Sequence, residues 1–235
     1  WSSDVCSSDL GARAFGVTYV YANLLGNEAG RAIYDGSCLI ASDGVLVAES
    51  PRFSMREHTL VCADVDISLT RARRARTASA LPDVRDPVYE VRVEHDYAAL
   101  HTPCPKPGAP SFPETREEEL ARALSTGLFD YLRKSRARGY VVSLSGGADS
   151  SACACLVGLF VRFALHELGV EGTKRALPSL ANVHGDARAM TAALLTTMYQ
   201  STRNSGDVTR NAARTVAHAV GSTHLELDVD ALVQT

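Results

Sequence analysis

The residues best equipped for chemistry lie between Tyr140 and Ser151, which read YVVSLSGGADSS. The β-branched and aromatic run Tyr140, Val141, Val142 has the composition of a buried strand, and it breaks at Gly146 and Gly147 before a long apolar-periodic segment. That order is strand, tight loop, helix. A glycine pair lets backbone approach a ligand closely, loop N–H groups and a helix start carry partial positive charge, and Ser145, Ser150 and Ser151 add hydroxyls. Such a loop suits a phosphate chain. Asp149 would repel bare phosphate, so its expected use is to hold Mg²⁺, which takes oxygen ligands and bridges phosphate oxygens. The sequence has no G-x-x-x-x-G-K-[ST], and no lysine follows the glycines, so this is not a Walker A loop. A plain strand-to-helix turn with a glycine pair and an N-cap aspartate accounts for the same string without chemistry.

The elements that must hold this loop are legible around it. Thr115 with Glu118 makes a capping-box pattern, Glu117 to Glu119 suit the positive end of a helix, and Leu120, Leu124, Leu128, Tyr131 and Leu132 recur on one face. Arg136, Arg138 and Gly139 close that helix. A strand over Tyr140 to Leu144 and a helix from about Asp149 to Leu168 follow. Residues 169–185 read as irregular connection, with a short helix opening at Asp186 to Met190 and a second strand near Leu194 to Tyr199. A polar segment then leads into a helix carrying Val208, Ala212, Val216 and Ala219 on one face, stopped by Gly221 before a third strand over His224 to Val229. Strands alternating with helices predict a doubly wound parallel sheet, with the loop at a strand's carboxyl end where such sheets bind ligands.

Composition bounds the rest. A chain of 235 residues, 46% apolar and with net charge −3, has room for one large or two small soluble domains and no excess of positive charge for nucleic acid. Its six cysteines show neither C-x-x-C nor His-paired zinc spacing, which suits reduced thiols in the cytoplasm. The most apolar stretch, Ala152 to Leu168, carries Arg162 and His166 and reads as a buried helix, with no membrane partner expected.

From Gly16 the pattern is strand-like: Val17 to Leu25, then SCLIAS and VLVAES joined through Asp43-Gly44, a strong hairpin signal, then Thr59 to Ile67. Asn23, Glu28, Arg31, Tyr34 and Asp35 fall in what reads as a loop between the first two strands, and a solvated surface accounts for their charges. Arg71 to Arg76 is basic and suits a solvated face. Residues 81–113 carry Pro82, Pro87, Pro103, Pro105, Pro107, Pro110 and Pro113, a density suited to an extended connector. Residues 1–10, WSSDVCSSDL, have no period and read as an assembly scar outside the fold. The expected division is therefore 11–80, a linker at 81–113, and 114–235.

Two resemblances sharpen this reading. S-G-G-A-D-S (145–150) is similar to the pyrophosphate-binding loop of the ATP pyrophosphatase superfamily, also called adenine nucleotide alpha hydrolase-like. The run YANLLGNEAGRAIYDGSCLIASDG, followed by LVAESPRFS and ADVDI, resembles the C-terminal third of a carbon–nitrogen hydrolase (nitrilase-type) domain. The two in this order, with LLTTMYQSTRNSGDVTR and VGSTHLELDVD, resemble the family of glutamine-dependent NAD⁺ synthetases over nearly all of residues 11–235.

The resemblance implies an α/β chain: a partial αββα sandwich, then a partial doubly wound parallel sheet. It implies a ligase acting on deamido-NAD⁺ with ATP, Mg²⁺ and ammonia from glutamine, homo-oligomeric in its full length and cytoplasmic. It places Ser145, as the catalytic loop serine, with Gly146, Gly147, Asp149 and Ser150 on the triphosphate and its Mg²⁺. Ser143, Leu144 and Ala148 would contribute backbone. Thr197 and Tyr199 would be nucleotide neighbours, although a core aromatic is an equal account of Tyr199. Glu28 and Arg31 would line part of a glutamine pocket. The family's Glu, Lys and Cys triad would fall before Gly11, so the chain as written is expected to have little or no activity. The alternatives are a GMP-synthetase-like or thiolating relative, or a nucleotide-binding remnant without chemistry.

Overall fold

Alternating apolar residues around an Asp-Gly turn give the first sheet. β4 (Cys38–Ser42) and β5 (Val45–Glu49) form the hairpin expected at Asp43-Gly44, where both turn residues have positive φ, and β1 (Thr18–Ala22) pairs antiparallel with β4. The computed structural model describes residues 10–28, 30–76 and 115–233, so the expected scar (apart from Leu10) and the proline-rich connector lie outside the described residues. These form two compact units: residues 10–23, 36–52 and 59–76 make one, and residues 24–28, 30–35, 53–58 and 115–233 the other.

In the first unit the strand expected over Thr59 to Ile67 is absent. Residues 59–66 have no regular structure, Leu60 is 85% exposed, and α1 (Ile67–Arg76) begins where the run was expected to end. The physical reason is a cap. Asp66 accepts the N–H groups of Ser68 at 2.8 Å and Leu69 at 3.2 Å, which commits the following residues to helix. The arginines of α1 lie on an exposed surface, as a solvated face requires, and Arg73 pairs with Asp43.

The second unit is built on a parallel sheet of β6 (Tyr140–Ser143), β7 (Leu195–Ser201) and β8 (Thr223–Asp228), in that order. The same unit holds helices α2 (Arg116–Ser135), α3 (Ala148–Ala176), α4 (Ala187–Leu194) and α5 (Asp207–Val220). Phe129, Leu132, Val157, Phe160, Val161 and Leu195 lie within the buried core, and the Phe129 and Phe160 rings sit 6.2 Å apart. The alternating α/β class is thus borne out, as is a mixed architecture holding both antiparallel and parallel sheets.

Three local expectations change. The run expected as one strand over Val17 to Leu25 breaks at Asn23, and the segment read as a loop is a hairpin, β2 (Leu25–Glu28) with β3 (Ala32–Asp35). On α2, Leu120 is 60% exposed and Tyr131 47%, whereas Thr126, Phe129 and Asp130 are buried. That helix is covered on two sides, by α3 and by the β2–β3 hairpin, so its buried face is broader than a single leucine stripe predicts. The helix opening the third correction, α3, runs on past Leu168 to Ala176, bending at Gly169 (φ 68°) where irregular connection was expected. By length and composition α3 could cross a bilayer, but it lays Ala154, Val157, Phe160, Val161 and Ala164 into the core.

Residues 53–58 are fastened to the same helices. Thr126 donates its hydroxyl to the Phe53 carbonyl at 3.1 Å, while Glu167 on α3 accepts the Ser54 hydroxyl and, at 2.8 Å, the Met55 N–H. Phe53 itself has φ 56°, an uncommon conformation for an aromatic residue. Glu167→Ala strands the Met55 N–H and is expected to cost about 1–3 kcal/mol. Glu167→Gln keeps an acceptor and should lose less. Urea denaturation of both variants checks this, and equal losses would show that the acceptor does not matter.

Candidate functional site

β6 ends at Ser143 and α3 begins at Ala148, leaving four residues for the turn. Leu144 is 1% exposed and donates its N–H to the Met198 carbonyl at 2.7 Å, so pairing with β7 persists into the loop. Beyond it the serines fold the loop on itself. The Ser145 and Ser150 hydroxyls are 3.2 Å apart, and Ser150 Oγ also accepts the Ser145 N–H at 3.3 Å. Ser145 Oγ accepts the Gly147 N–H at 3.3 Å, and Ser151 donates to the Gly147 carbonyl at 2.7 Å.

The start of α3 is electrostatically open. Gly147 is its N-cap and supplies no side chain to satisfy the first N–H groups, which point out of the helix beside the exposed Asp149. Gly146, at φ 82°, turns the chain against α5. A Cβ there would stand 2.6 Å from the Thr209 carbonyl oxygen. Backbone amides, two hydroxyls and a helix end are therefore gathered at one exposed turn, an arrangement suited to an anion.

Ser143, Leu144, Ser145, Gly146, Gly147, Ala148, Asp149 and Ser150 are all brought together here, Leu144 through its backbone alone. Thr197 and Tyr199 are placed differently, on the buried side of the sheet. Thr197 is fully buried, its hydroxyl 2.7 Å from Ser222 Oγ and 2.9 Å from His224 Nδ1. Tyr199 is 4% exposed and bonds Thr209 Oγ1 at 2.8 Å, so it props the loop through α5. Glu28 and Arg31 flank the β2–β3 turn, closed by the Arg31 N–H on the Glu28 carbonyl at 2.9 Å. The Glu28 carboxylate takes the Tyr34 hydroxyl at 2.7 Å and, by that bond and its charge, holds the phenol above its ordinary pKa.

Sequence reading passed over Thr209 and Gln200. Thr209 gave no signal beyond a polar residue opening a helix. Gln200 was visible as a polar residue at the end of a predicted strand, and it accepts the Ser143 hydroxyl at 2.9 Å. In the other unit Glu49 is buried at the end of β5, where burial pushes its pKa up against the lowering charge of Arg52. Among the described residues no group of three or more His, Cys, Asp or Glu could hold a metal.

No protein-family profile matches the chain. Individual proteins do. The glutamine-dependent NAD(+) synthetase of Oryza sativa subsp. indica is 34% identical over 94% of this chain and 31% of its own length. The crystal structure of a glutamine-dependent NAD(+) synthetase from Cytophaga hutchinsonii superposes on 99% of the chain and 34% of its own, with TM-score 0.74 and 36% identity. The chain is homologous to part of the glutamine-dependent NAD(+) synthetases. It spans about a third of the length of the relatives it matches. A further synthetase of this type, from Acinetobacter baumannii in complex with adenosine diphosphate, shares the fold at TM-score 0.58 and 18% identity over 99% of this chain and 32% of its own. The homologous stretch runs through both units described above.

Proposed function

We propose that this chain carries the nucleotide-binding loop of a glutamine-dependent NAD⁺ synthetase, a ligase that converts deamido-NAD⁺ to NAD⁺. The observation carrying the reading is the self-closed turn from Ser145 to Ser150, set at the carboxyl end of a parallel strand and opening an uncapped helix. The order of the two sheets within one homologous stretch favours this ligase over other adenylating enzymes that share the loop. ADP bound to the Acinetobacter synthetase agrees with nucleotide binding on this fold.

In this chemistry the nicotinate carboxylate attacks the α-phosphorus of ATP and pyrophosphate leaves. Ammonia released from glutamine then attacks the acyl carbon, AMP departs with the former carboxylate oxygen, and loss of a proton leaves the amide. A carboxylate is a poor acyl donor until its oxygen is a phosphate ester. The chain's own contribution is alignment and charge neutralisation of the leaving pyrophosphate by the loop N–H groups and by the Ser145 and Ser150 hydroxyls. Asp149, exposed in the first turn of α3, fits a Mg²⁺ that travels on the triphosphate, since that ion commonly takes one or two carboxylates plus phosphate and water. Bound there, the ion would neutralise charge on the β- and γ-phosphates. Glu28 and Arg31, on the hairpin turn, are proposed for the glutamine side.

Amide hydrogen exchange on the purified chain tests this. Mg·ATP is expected to protect residues 145–150, and deamido-NAD⁺ added with it should extend protection where xanthosine monophosphate does not. Asp149→Asn should weaken Mg·ATP about 10-fold, as measured by calorimetry, because one charged ligand becomes neutral. Absence of protection by Mg·ATP would overturn the reading.

A further inference from the structure

The first unit holds a hollow of its own. One face of α1 and the residues entering β1 enclose a cavity of about 310 Å³, at the small end of the range for ligand pockets, with a mainly apolar lining. Ile67, Thr70, Arg71 and Arg74 are spaced i, i+3, i+4 and i+7, so a single helix face carries them all. Val17 and Thr18 line the opposite wall. Gly16 lets the two walls meet, because its φ is 59° and a Cβ there would stand 3.3 Å from the Arg74 backbone. Ile67 is 60% exposed, so apolar surface is left uncovered in the hollow. Charge lies on the same helix face. Among the described residues no ion pair or hydrogen bond engages Arg71 or Arg74, whereas Arg73, on the adjoining face, is committed to Asp43. The threonine hydroxyls are already engaged: Thr18 Oγ1 lies 3.0 Å from Ser42 Oγ, and Thr70 donates to the Asp66 carbonyl at 3.3 Å. Two uncommitted guanidinium groups therefore flank an apolar hollow.

We infer that this hollow binds a small organic monocarboxylate, its carboxylate held by Arg71 and Arg74 and its apolar body laid against Val17 and Ile67. A guanidinium presents forked N–H donors that match the two oxygens of a carboxylate, and two such groups satisfy its lone pairs without help from the interior. Acetate has the charge but no body to bury, and benzamide has a ring but no charge for the arginines. Only a ligand with both uses the whole site. The inference is independent of the function proposed above, since these residues belong to the first unit and the phosphate loop to the second.

Benzoate is the probe, titrated into the isotope-labelled chain and followed through the amide shifts of Gly16, Val17, Thr18 and Thr70. Saturable shifts are expected, with a dissociation constant on the order of 1 mM, in keeping with a ligand of few atoms. Benzamide and acetate should each bind at least about 10-fold more weakly. Arg71→Ala combined with Arg74→Ala should weaken benzoate about 10-fold or more, and lysine at both positions should recover only part of that, because an ammonium lacks the fork. Both arginines are exposed, so the variants are expected to fold, and unchanged amide shifts at the buried Leu39 and Ala41 verify it. Absence of saturable shifts, equal binding of benzoate and benzamide, or full affinity in the double alanine variant would overturn the assignment. So would sedimentation showing a dimer that the same double variant abolishes, since the hollow would then be covered by a second copy.

Discussion

Gly146→Val is expected to weaken Mg·ATP binding at least 100-fold and to destabilise the chain by about 3 kcal/mol. Two costs combine at this residue. Its φ of 82° belongs to a region that a β-branched side chain rarely occupies, which costs about 1–3 kcal/mol. A Cβ would also stand 2.6 Å from the Thr209 carbonyl oxygen and 3.0 Å from its Cα, and those are backbone atoms that cannot turn aside. Thr209 is held in its turn by a hydroxyl bond to the Gly206 carbonyl at 2.9 Å and by Tyr199 at 2.8 Å. The loop must therefore give way, and its N–H groups lose their common aim. Gly147 is the control: its φ is −89°, and a Cβ there would meet only Ser145 Oγ at 3.3 Å. Gly147→Ala should unfold within about 1 kcal/mol of the parent. Thermal unfolding with calorimetry separates the two, and normal ATP affinity in Gly146→Val would refute the loop geometry as the source of binding.

The second large effect is at Asp130, where removal of the carboxylate is expected to cost about 3–5 kcal/mol. Its side chain is 4% exposed, on α2 beneath the β2–β3 hairpin. It accepts the Asn27 N–H at 2.7 Å and Arg133 at 2.6 Å, and pairs with Lys134 at 2.6 Å, while Lys134 also reaches the Asn27 carbonyl at 2.7 Å. Gly26 makes the approach possible, because a Cβ on it would lie 2.5 Å from Asp130 Oδ2. Desolvation pushes the Asp130 pKa up, but bonds from Lys134, Arg133 and the Asn27 N–H outweigh it and hold the carboxyl below its ordinary value. A depressed folded pKa means that the stabilisation is present in full above the unfolded value, about 3.9, and is lost as pH falls through the folded one. Asp130→Ala should therefore be less stable at neutral pH, with the gap to the parent closing below about pH 4. Chemical denaturation at pH 7 and pH 3 measures both arms. A pH-independent gap would mean that the charge is not what holds the hairpin.

Local pattern carried much of this protein. Asp43-Gly44 dictates a turn with positive φ, Thr115 caps a helix through the Glu118 N–H at 3.1 Å, and Gly221 ends another at φ 85°. Each rests on interactions within a few residues, and each is found where the sequence put it. The loop from Ser143 to Ser150 belongs to the same class, because strand, glycine pair and helix start are contiguous.

Whatever depended on a distant partner had to wait for the tertiary structure. Residues 59–66 alternate like a strand, but among the described residues no strand pairs with them, and Asp66 starts a helix instead. Glu28 and Tyr34 read as loop residues, yet their segment folds into a hairpin that grips α2, through an aspartate 103 positions beyond Asn27. Thr197 and Tyr199 sit on the right strand but on its buried side, while Gln200, one step further, faces solvent beside the loop. The sequence alone determined the strand, glycine turn and helix start around Gly146 and the turn and caps named above, since backbone propensity and residue type are local. Only tertiary contact decided which face of each element is covered and which segments clasp the helices, since both depend on groups far apart along the chain.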